Sequence, residues 1–130
     1  MKSFENNAFF WQKMDTLFLS TELKVTRQKG ERHPIYNNLI YPVDYCHLEG
    51  TSGNSESGLI CVYKGSIDTN RIDAVVVSVD ILKKDMDTKL ISGCSEIEEA
   101  AVLRFLNQTD FQKTIIVRRG VELPSWAFTE

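Results

Sequence analysis

Cysteine, proline and histidine are scarce in this chain of 130 residues, which contains three, three and two of them. The cysteines, Cys46, Cys61 and Cys94, are odd in number and lack the CxxC or Cys/His spacing of zinc ligands. Neither a disulfide framework nor a zinc site is therefore expected, and the sequence is typical of a reduced, cytoplasmic protein.

Long apolar runs are also missing. A membrane-spanning helix needs roughly 20 consecutive apolar residues, and no stretch approaches that length. Glu5, Lys13 and Asp15 interrupt the apolar residues near the N-terminus, so no signal peptide is expected. The net charge of −3 gives no reason to expect nucleic acid or an anionic membrane as partner.

The composition is that of a soluble globular protein, with 42% hydrophobic and 25% charged residues. The length predicts a single domain over residues 1–130 with one core. Periodicity predicts an N-terminal helix over 1–20, with Ser3 as its N-cap. The apolar stripe of this helix is expected to contain Phe10, Met14, Leu17 and Phe18.

Short strands dominate residues 22–119. The sequence predicts strands at Glu22–Thr26, within Leu39–Leu48, and at Leu59–Lys64, Ala74–Leu82, Lys89–Ser92 and Thr114–Arg118. Ser95 and Glu98 form a capping box that opens a helix over 95–107, whose buried side is expected to contain Ile97, Ala101, Leu103 and Leu106. Five or six strands with a late helix indicate an α+β fold built on a small barrel or curled sheet.

The tail over 120–130 is apolar. Leu123, Trp126 and Phe128 are expected to dock against the N-terminal helix or against another subunit, which would make the protein a homo-oligomer.

Two charged segments are candidates for chemistry. A cationic cluster of Arg27, Lys29, Arg32 and His33 precedes the segment Y-P-V-D-Y. Further on, Asp85, Asp87 and Lys89 alternate, so an extended backbone would point all three side chains to one face. Such groups beside a tyrosine hydroxyl suit a phosphate-containing ligand, with or without magnesium. A solvated turn between two strands is the alternative, and spacing alone favours it.

Three collinear segments resemble a known family. Y-P-V-D-Y-C-H-L-E-G-T, V-T-R-Q-K-G-E-R-H-P and V-D-I-L-K-K-D-M-D-T-K-L resemble segments of the soluble magnesium-dependent (family I) inorganic pyrophosphatases, in particular a short bacterial branch. The resemblance covers Val25 to about Arg119. It implies a five-stranded OB-like β-barrel with packed helices, and hydrolysis of diphosphate with the help of magnesium ions.

The chain departs from the family pattern in its metal-binding loop. Counted without a gap, the three acidic positions of that loop fall on Ser55, Ser57 and Ile60, and with one inserted residue they become Glu56, Gly58 and Cys61. At most one carboxylate remains in either register. Thr26 replaces a further acid, and Asp44, Cys46 and His47 replace an asparagine, a glycine and an aromatic residue of the tyrosine segment.

The remaining site residues follow from the resemblance. It implies catalytic roles for Tyr45 and Asp87, and it implies that Glu56, Asp85 and Asp87 are the metal ligands. The substrate-binding residues that it implies are Lys29, Arg32, Tyr45 and Lys89.

Three functions are compatible with the sequence. The first is an inorganic pyrophosphatase-like protein that binds diphosphate or another phosphate compound, with weak magnesium binding and weak or altered hydrolysis. The alternative is a non-catalytic pseudoenzyme that acts as an anion-binding or protein-interaction module. An OB-like nucleic-acid binder is the least favoured, because the chain lacks interleaved aromatic and basic residues on its strands.

Overall fold

A computed structural model describes residues 5–120 of the chain, which contain two helices and six strands. The helices are α1 (Ala8–Leu19) and α2 (Glu96–Leu106). The strands are β1 (Leu23–Arg27), β2 (Asp44–Leu48), β3 (Ile60–Lys64), β4 (Ala74–Asp80), β5 (Asp85–Ser92) and β6 (Gln112–Arg118). The predicted α+β class is confirmed. Within these residues, neither helix is long and apolar enough to cross a membrane.

The strands form one six-stranded open sheet in the order β1-β2-β3-β5-β4-β6. Neighbouring strands are antiparallel except β3 and β5, which run parallel. The predicted closed five-stranded barrel is wrong, because β1 and β6 lie at the two edges of the sheet. Strand β6 pairs with β4 along its whole length and occupies the edge that a closing β1 would need.

Helix α1 covers one face of the sheet. Asn7 is its N-cap, and the side chain of Asn7 accepts a hydrogen bond from the backbone N–H of Phe10. Trp11 and Phe18 are buried and Met14 packs against the core, whereas Phe10 is 50% exposed, so the predicted apolar stripe is confirmed at Met14 and Phe18 and wrong at Phe10. The core on this face consists of Trp11, Phe18, Cys46, Leu48, Val62, Ile72, Val75 and Leu90.

Helix α2 covers part of the opposite face. Ser95 and Glu98 form the predicted capping box, in which each side chain accepts a hydrogen bond from the backbone N–H of the other residue. Val102 and Leu106 are buried, but Ile97 is 81% exposed, so its predicted burial is wrong. Ile97 lies in the first turn, and the buried stripe begins only one turn later. The core here consists of Tyr41, Val43, Tyr63, Ala74, Val76, Ile91, Val102 and Leu106.

Two further boundaries differ from the predictions. Strand β5 begins at Asp85, four residues before the predicted start, because the charged residues 85–89 pair with β4 as far as Asp80. In the segment Leu39–Leu48, the regular strand begins only at Asp44, after a single bridge between Ile40 and Arg32. Ser3 and the tail residues Leu123, Trp126 and Phe128 lie outside the described residues.

Candidate functional site

The face of the sheet that carries α2 also carries a row of polar side chains. Residues alternate between the two faces of a strand. The pairings Tyr45–Tyr63, His47–Cys61 and Tyr63–Ile91 therefore place Tyr45, Cys61 and Lys89 on this face, together with Asp85 and Asp87. We call the surface formed by Tyr45, Cys61, Asp85, Asp87 and Lys89 the polar face.

Lys89 and Asp87 form an ion pair on the polar face. Each side chain is only 15% exposed, and burial lowers the pKa of the Lys89 ammonium. The Asp87 Oδ2 atom accepts the hydrogen bond from Lys89, whereas the Asp87 Oδ1 atom is buried and has no hydrogen-bond partner. A buried acceptor without a donor is costly, so Oδ1 is the place where a donor or a cation from outside the chain would be stabilised.

A second ion pair lies beside the first. The Lys83 Nζ atom is 2.8 Å from Oε1 of Glu56, whose loop precedes β3. This hydrogen bond lowers the pKa of Glu56 and raises the pKa of Lys83. Both side chains are largely exposed, and the charges of Lys83, Glu56 and Asp85 all act on Lys89. The predicted metal ligand Glu56 is thus already bound to a cation, and Asp85 is exposed.

Aromatic rings close the other end of the polar face. The Tyr45 ring is 5.5 Å from the Tyr41 ring and 5.1 Å from the Tyr63 ring, measured between centroids. Burial raises the pKa of Tyr45 far above its ordinary value, and the neighbouring Tyr63 adds to this effect. The hydroxyl of Tyr45 therefore stays protonated at neutral pH and acts as a hydrogen-bond donor or acceptor, not as an anion.

Lys29 and Arg32 are exposed, and their hydrogen bonds lie away from Asp87 and Lys89. The Arg32 guanidinium donates a hydrogen bond to the carbonyl of Asn37 (3.0 Å), and the backbone N–H of Lys29 donates to Oδ1 of Asp44 (2.8 Å). Arg27 pairs with Tyr45 across the sheet, so β1 places a basic residue beside the polar face. The structure thus brings Tyr45, Asp87 and Lys89 to one face, and it does not add Lys29 or Arg32 to them.

Three further residues belong to this site: the sequence placed Arg27 in the cationic cluster and Cys61 at an altered position of the metal-binding loop, and it did not single out Lys83. Arg27 reaches it through an irregularity in β1 that shifts the register between Val25 and Arg27. Lys83 enters through the turn between β4 and β5, and Cys61 lies on β3 between Tyr45 and Lys89. Arg27 and Lys83 belong to basic stretches visible in the sequence, but the choice among neighbouring cations depends on register, which the sequence does not display.

In the altered tyrosine segment, His47 is linked by hydrogen bonds to Thr26 and Glu49. The His47 Nδ1 atom is 2.7 Å from the hydroxyl of Thr26, and its Nε2 atom is 2.8 Å from Oε1 of Glu49. Both ring nitrogens are thereby engaged. His47 faces Cys61 across β2 and β3, but the Cys61 thiol contacts the carbonyl of Leu59 at 3.8 Å. This arrangement does not activate Cys61 as a nucleophile.

The described residues do not fit a preformed magnesium centre. Residues 5–120 contain no group of three or more His, Cys, Asp or Glu side chains placed to hold a metal ion. Asp87 offers one free oxygen, Glu56 is paired with Lys83, and buried Cys61 stands where one register of the family loop has an acid. A pair of magnesium ions needs several carboxylates to offset the repulsion between the ions.

The comparisons with known proteins add no relative. No family model matches the chain, and no curated protein or solved structure matches it significantly. The family resemblance of the three segments therefore remains a hypothesis.

Proposed function

We propose that this protein binds diphosphate or another phosphate compound at the polar face and hydrolyses it weakly or not at all. The observation that carries the proposal is the ammonium of Lys89. It lies on the same face as Tyr45 and Arg27, and burial makes its charged form less stable than in water. An anion at this position would stabilise the charged form.

The neighbouring charges support a ligand that carries both signs of charge. Lys83 and Lys89 each have a carboxylate partner, so a bound phosphate competes with Glu56 and Asp87 for these cations. The displaced carboxylates then face the ligand. A ligand that also offers a donor or a cation, such as protonated diphosphate or a metal–diphosphate complex, would satisfy Oδ1 of Asp87.

The strand order is compatible with the OB-like fold that the resemblance implies. The order β1-β2-β3-β5-β4 with a parallel β3–β5 pair corresponds to an opened five-stranded barrel in which β6 takes the position next to β4. In this proposal the protein has kept the strand order of the family and has lost the closure of the barrel.

A measurement of diphosphate binding tests the proposal. Isothermal titration calorimetry with diphosphate should detect binding without magnesium, and Lys89→Ala should weaken that binding by about tenfold or more, which corresponds to at least ~1.4 kcal/mol. Lys13→Ala, on the exposed surface of α1, is the matched control. Absence of diphosphate binding, or equal binding by the Lys89 variant, would contradict the proposal.

A non-catalytic anion-binding module is the second candidate, and one observation favours it. Residues 5–120 offer no cluster of three metal donors. Phosphate release from diphosphate, measured at high protein concentration with and without magnesium, separates the two candidates. Release that depends on magnesium and is lost in Asp87→Asn supports weak hydrolysis, whereas binding without release supports the module.

A further inference from the structure

His33 occupies an unusual position in the loop between β1 and β2. Its Nδ1 atom accepts hydrogen bonds from the backbone N–H groups of Ile35 (3.1 Å) and Tyr36 (3.2 Å). A ring nitrogen that accepts hydrogen bonds carries no proton. The imidazole is therefore neutral, with its proton on Nε2.

These two bonds lie inside a closed loop over residues 32–40. Arg32 and Ile40 form a β-bridge at its base. The backbone N–H of His33 donates to the carbonyl of Leu39 (2.8 Å), and the N–H of Leu39 donates to the carbonyl of Tyr36 (2.9 Å). Backbone bonds therefore close the base of the loop, and the His33 side chain fixes its first half by holding the N–H groups of Ile35 and Tyr36.

The His33 ring also connects the loop to the aromatic end of the polar face. It stacks on Tyr41 with 6.0 Å between ring centroids and 12° between ring planes, and it lies 5.2 Å from the ring of Tyr36. Tyr41 in turn stacks on Tyr45. A change at His33 would therefore reach the tyrosines beside the polar face through these ring contacts.

We propose that His33 is an acid-operated latch: protonation of Nδ1 removes both hydrogen bonds to the backbone and releases the N–H groups of Ile35 and Tyr36 within the loop over residues 32–40. This makes His33 a positioning residue, and the proposal does not depend on the ligand of the polar face. The imidazolium has two donors and no acceptor, so it repels the N–H groups of Ile35 and Tyr36 that it holds when neutral.

Burial and the neighbouring charges determine the direction in which the pKa of His33 shifts. Burial lowers the pKa of His33, the charge of Glu56 raises it, and the charges of Lys83 and Arg27 lower it further. The net pKa is below the ordinary value of about 6.5. The stabilisation by neutral His33 is thus fully present above about pH 6.5 and is lost as the pH falls through the lower folded pKa. The pKa of Glu56 is itself lowered by its hydrogen bond to Lys83.

Nuclear magnetic resonance between pH 7.5 and 4.5 tests the latch on the intact chain. The backbone amide resonances of Ile35 and Tyr36 should shift with the same midpoint as the His33 imidazole, and their hydrogen-exchange protection should be lost below it. In His33→Asn, the side-chain oxygen can accept the same backbone bonds as in an Asx-turn but does not titrate. These two amides should therefore stay protected across this range.

Two further variants test whether the effect belongs to the His33 side chain. His33→Ala removes the acceptor and should leave the two amides unprotected at every pH. His47→Asn removes the only other histidine and should leave the titration of the loop unchanged. The latch is refuted if Ile35 and Tyr36 do not follow the His33 midpoint, or if His33→Asn shows the same pH-dependent loss of protection as the unmodified protein.

Discussion

Arg119 binds Asp15 through two hydrogen bonds, of 2.9 Å from Nη1 to Oδ1 and 2.8 Å from Nη2 to Oδ2. The same guanidinium donates to the carbonyl of Ile72 and lies 5.9 Å from the centre of the Trp11 ring. Oδ1 of Asp15 also accepts from the backbone N–H of Ile72. This pair therefore fastens α1 to the residues that flank β4 and β6.

Removal of this guanidinium should destabilise the protein. Arg119→Ala is expected to lower the free energy of unfolding by about 1–3 kcal/mol, because it leaves a half-buried carboxylate with fewer donors. Arg118→Ala is the matched control, since Arg118 binds Glu99 with a side chain that is 62% exposed and should cost less than about 1 kcal/mol. Urea denaturation at pH 7 measures both, and equal losses would contradict the assigned role of Arg119.

The Asp15–Arg119 pair also predicts that the stability of the protein depends on pH. Burial acts to raise the pKa of Asp15, but its hydrogen bonds to Arg119 and Ile72 outweigh burial and hold the pKa below its ordinary value. The stabilisation is therefore present above about pH 3.9 and is lost as the pH falls through the lower folded pKa. Asp15→Asn should be less stable than the unmodified protein at pH 7 and should lose less stability toward pH 2.5. Parallel unfolding curves of the two proteins over this range would count against the prediction.

Substitutions of Asp87 and Lys89 should have strongly non-additive effects on the stability of the protein. Lys89→Met leaves the Asp87 carboxylate buried and unpaired, and it should cost about 2–4 kcal/mol of stability. Asp87→Asn leaves an unpaired ammonium and should also destabilise, whereas the double variant removes both charges and should recover much of the loss. Chemical denaturation of all four proteins gives the coupling energy, and additive losses would show that the ion pair contributes nothing.

The capping box of α2 should be measurable on its own. Ser95→Ala removes the acceptor for the backbone N–H of Glu98 and should lower stability by about 1 kcal/mol. Thr16→Ala in α1 is a suitable comparison, because the Thr16 hydroxyl donates only to the carbonyl one turn earlier on an exposed surface. A thermal or urea transition that is the same for Ser95→Ala as for Thr16→Ala would be the unexpected result.

An aspartate at position 61 should increase the affinity for magnesium. Cys61→Asp places a carboxylate on the polar face near Lys89 and Asp87, and Cys61→Ser is the control of similar size. Calorimetric titration with magnesium in the presence of diphosphate should show tighter binding by the Asp variant only. Gly58→Asp is a poorer choice, because Gly58 has a φ of 78°, a conformation that strains a side chain. No gain by Cys61→Asp would argue against a metal role for this position.

Local sequence signals predicted much of the fold. The apolar run of β4 and the Ser95–Glu98 capping box identified a strand and a helix to within two residues, because both depend on nearest neighbours in the chain. The predicted β5 was too short because its first half lacks a local strand signal. Its first half is charged, and only pairing with β4 makes it a strand, so local propensity carries no signal there.

Tertiary contacts decided the features that were predicted incorrectly. Closure of the sheet depends on whether β1 or β6 occupies the edge of β4, and both strands have similar local patterns. In the candidate site, too, local sequence predicted some features and tertiary contacts determined the others. The alternation of Asp85, Asp87 and Lys89 placed them on one face, whereas the pairing of Tyr45 with Arg27 follows from a bulge in β1 that no local pattern specifies.

The single parallel pairing divides the sheet into two halves, each of three strands. Strands β1–β2–β3 and β4–β5–β6 are each joined internally by antiparallel ladders, and the ladder between the halves has only three residue pairs, from Val62–Leu90 to Lys64–Ser92. Because backbone pairing is sparsest at this seam, we expect native-state hydrogen exchange to show that the sheet opens there first and separates into two units. Tyr45 and Cys61 belong to one unit, and Asp87 and Lys89 belong to the other. A ligand held by both sets of residues would act as a cross-link, and it would slow the separation of the two units more than the fraying of either edge.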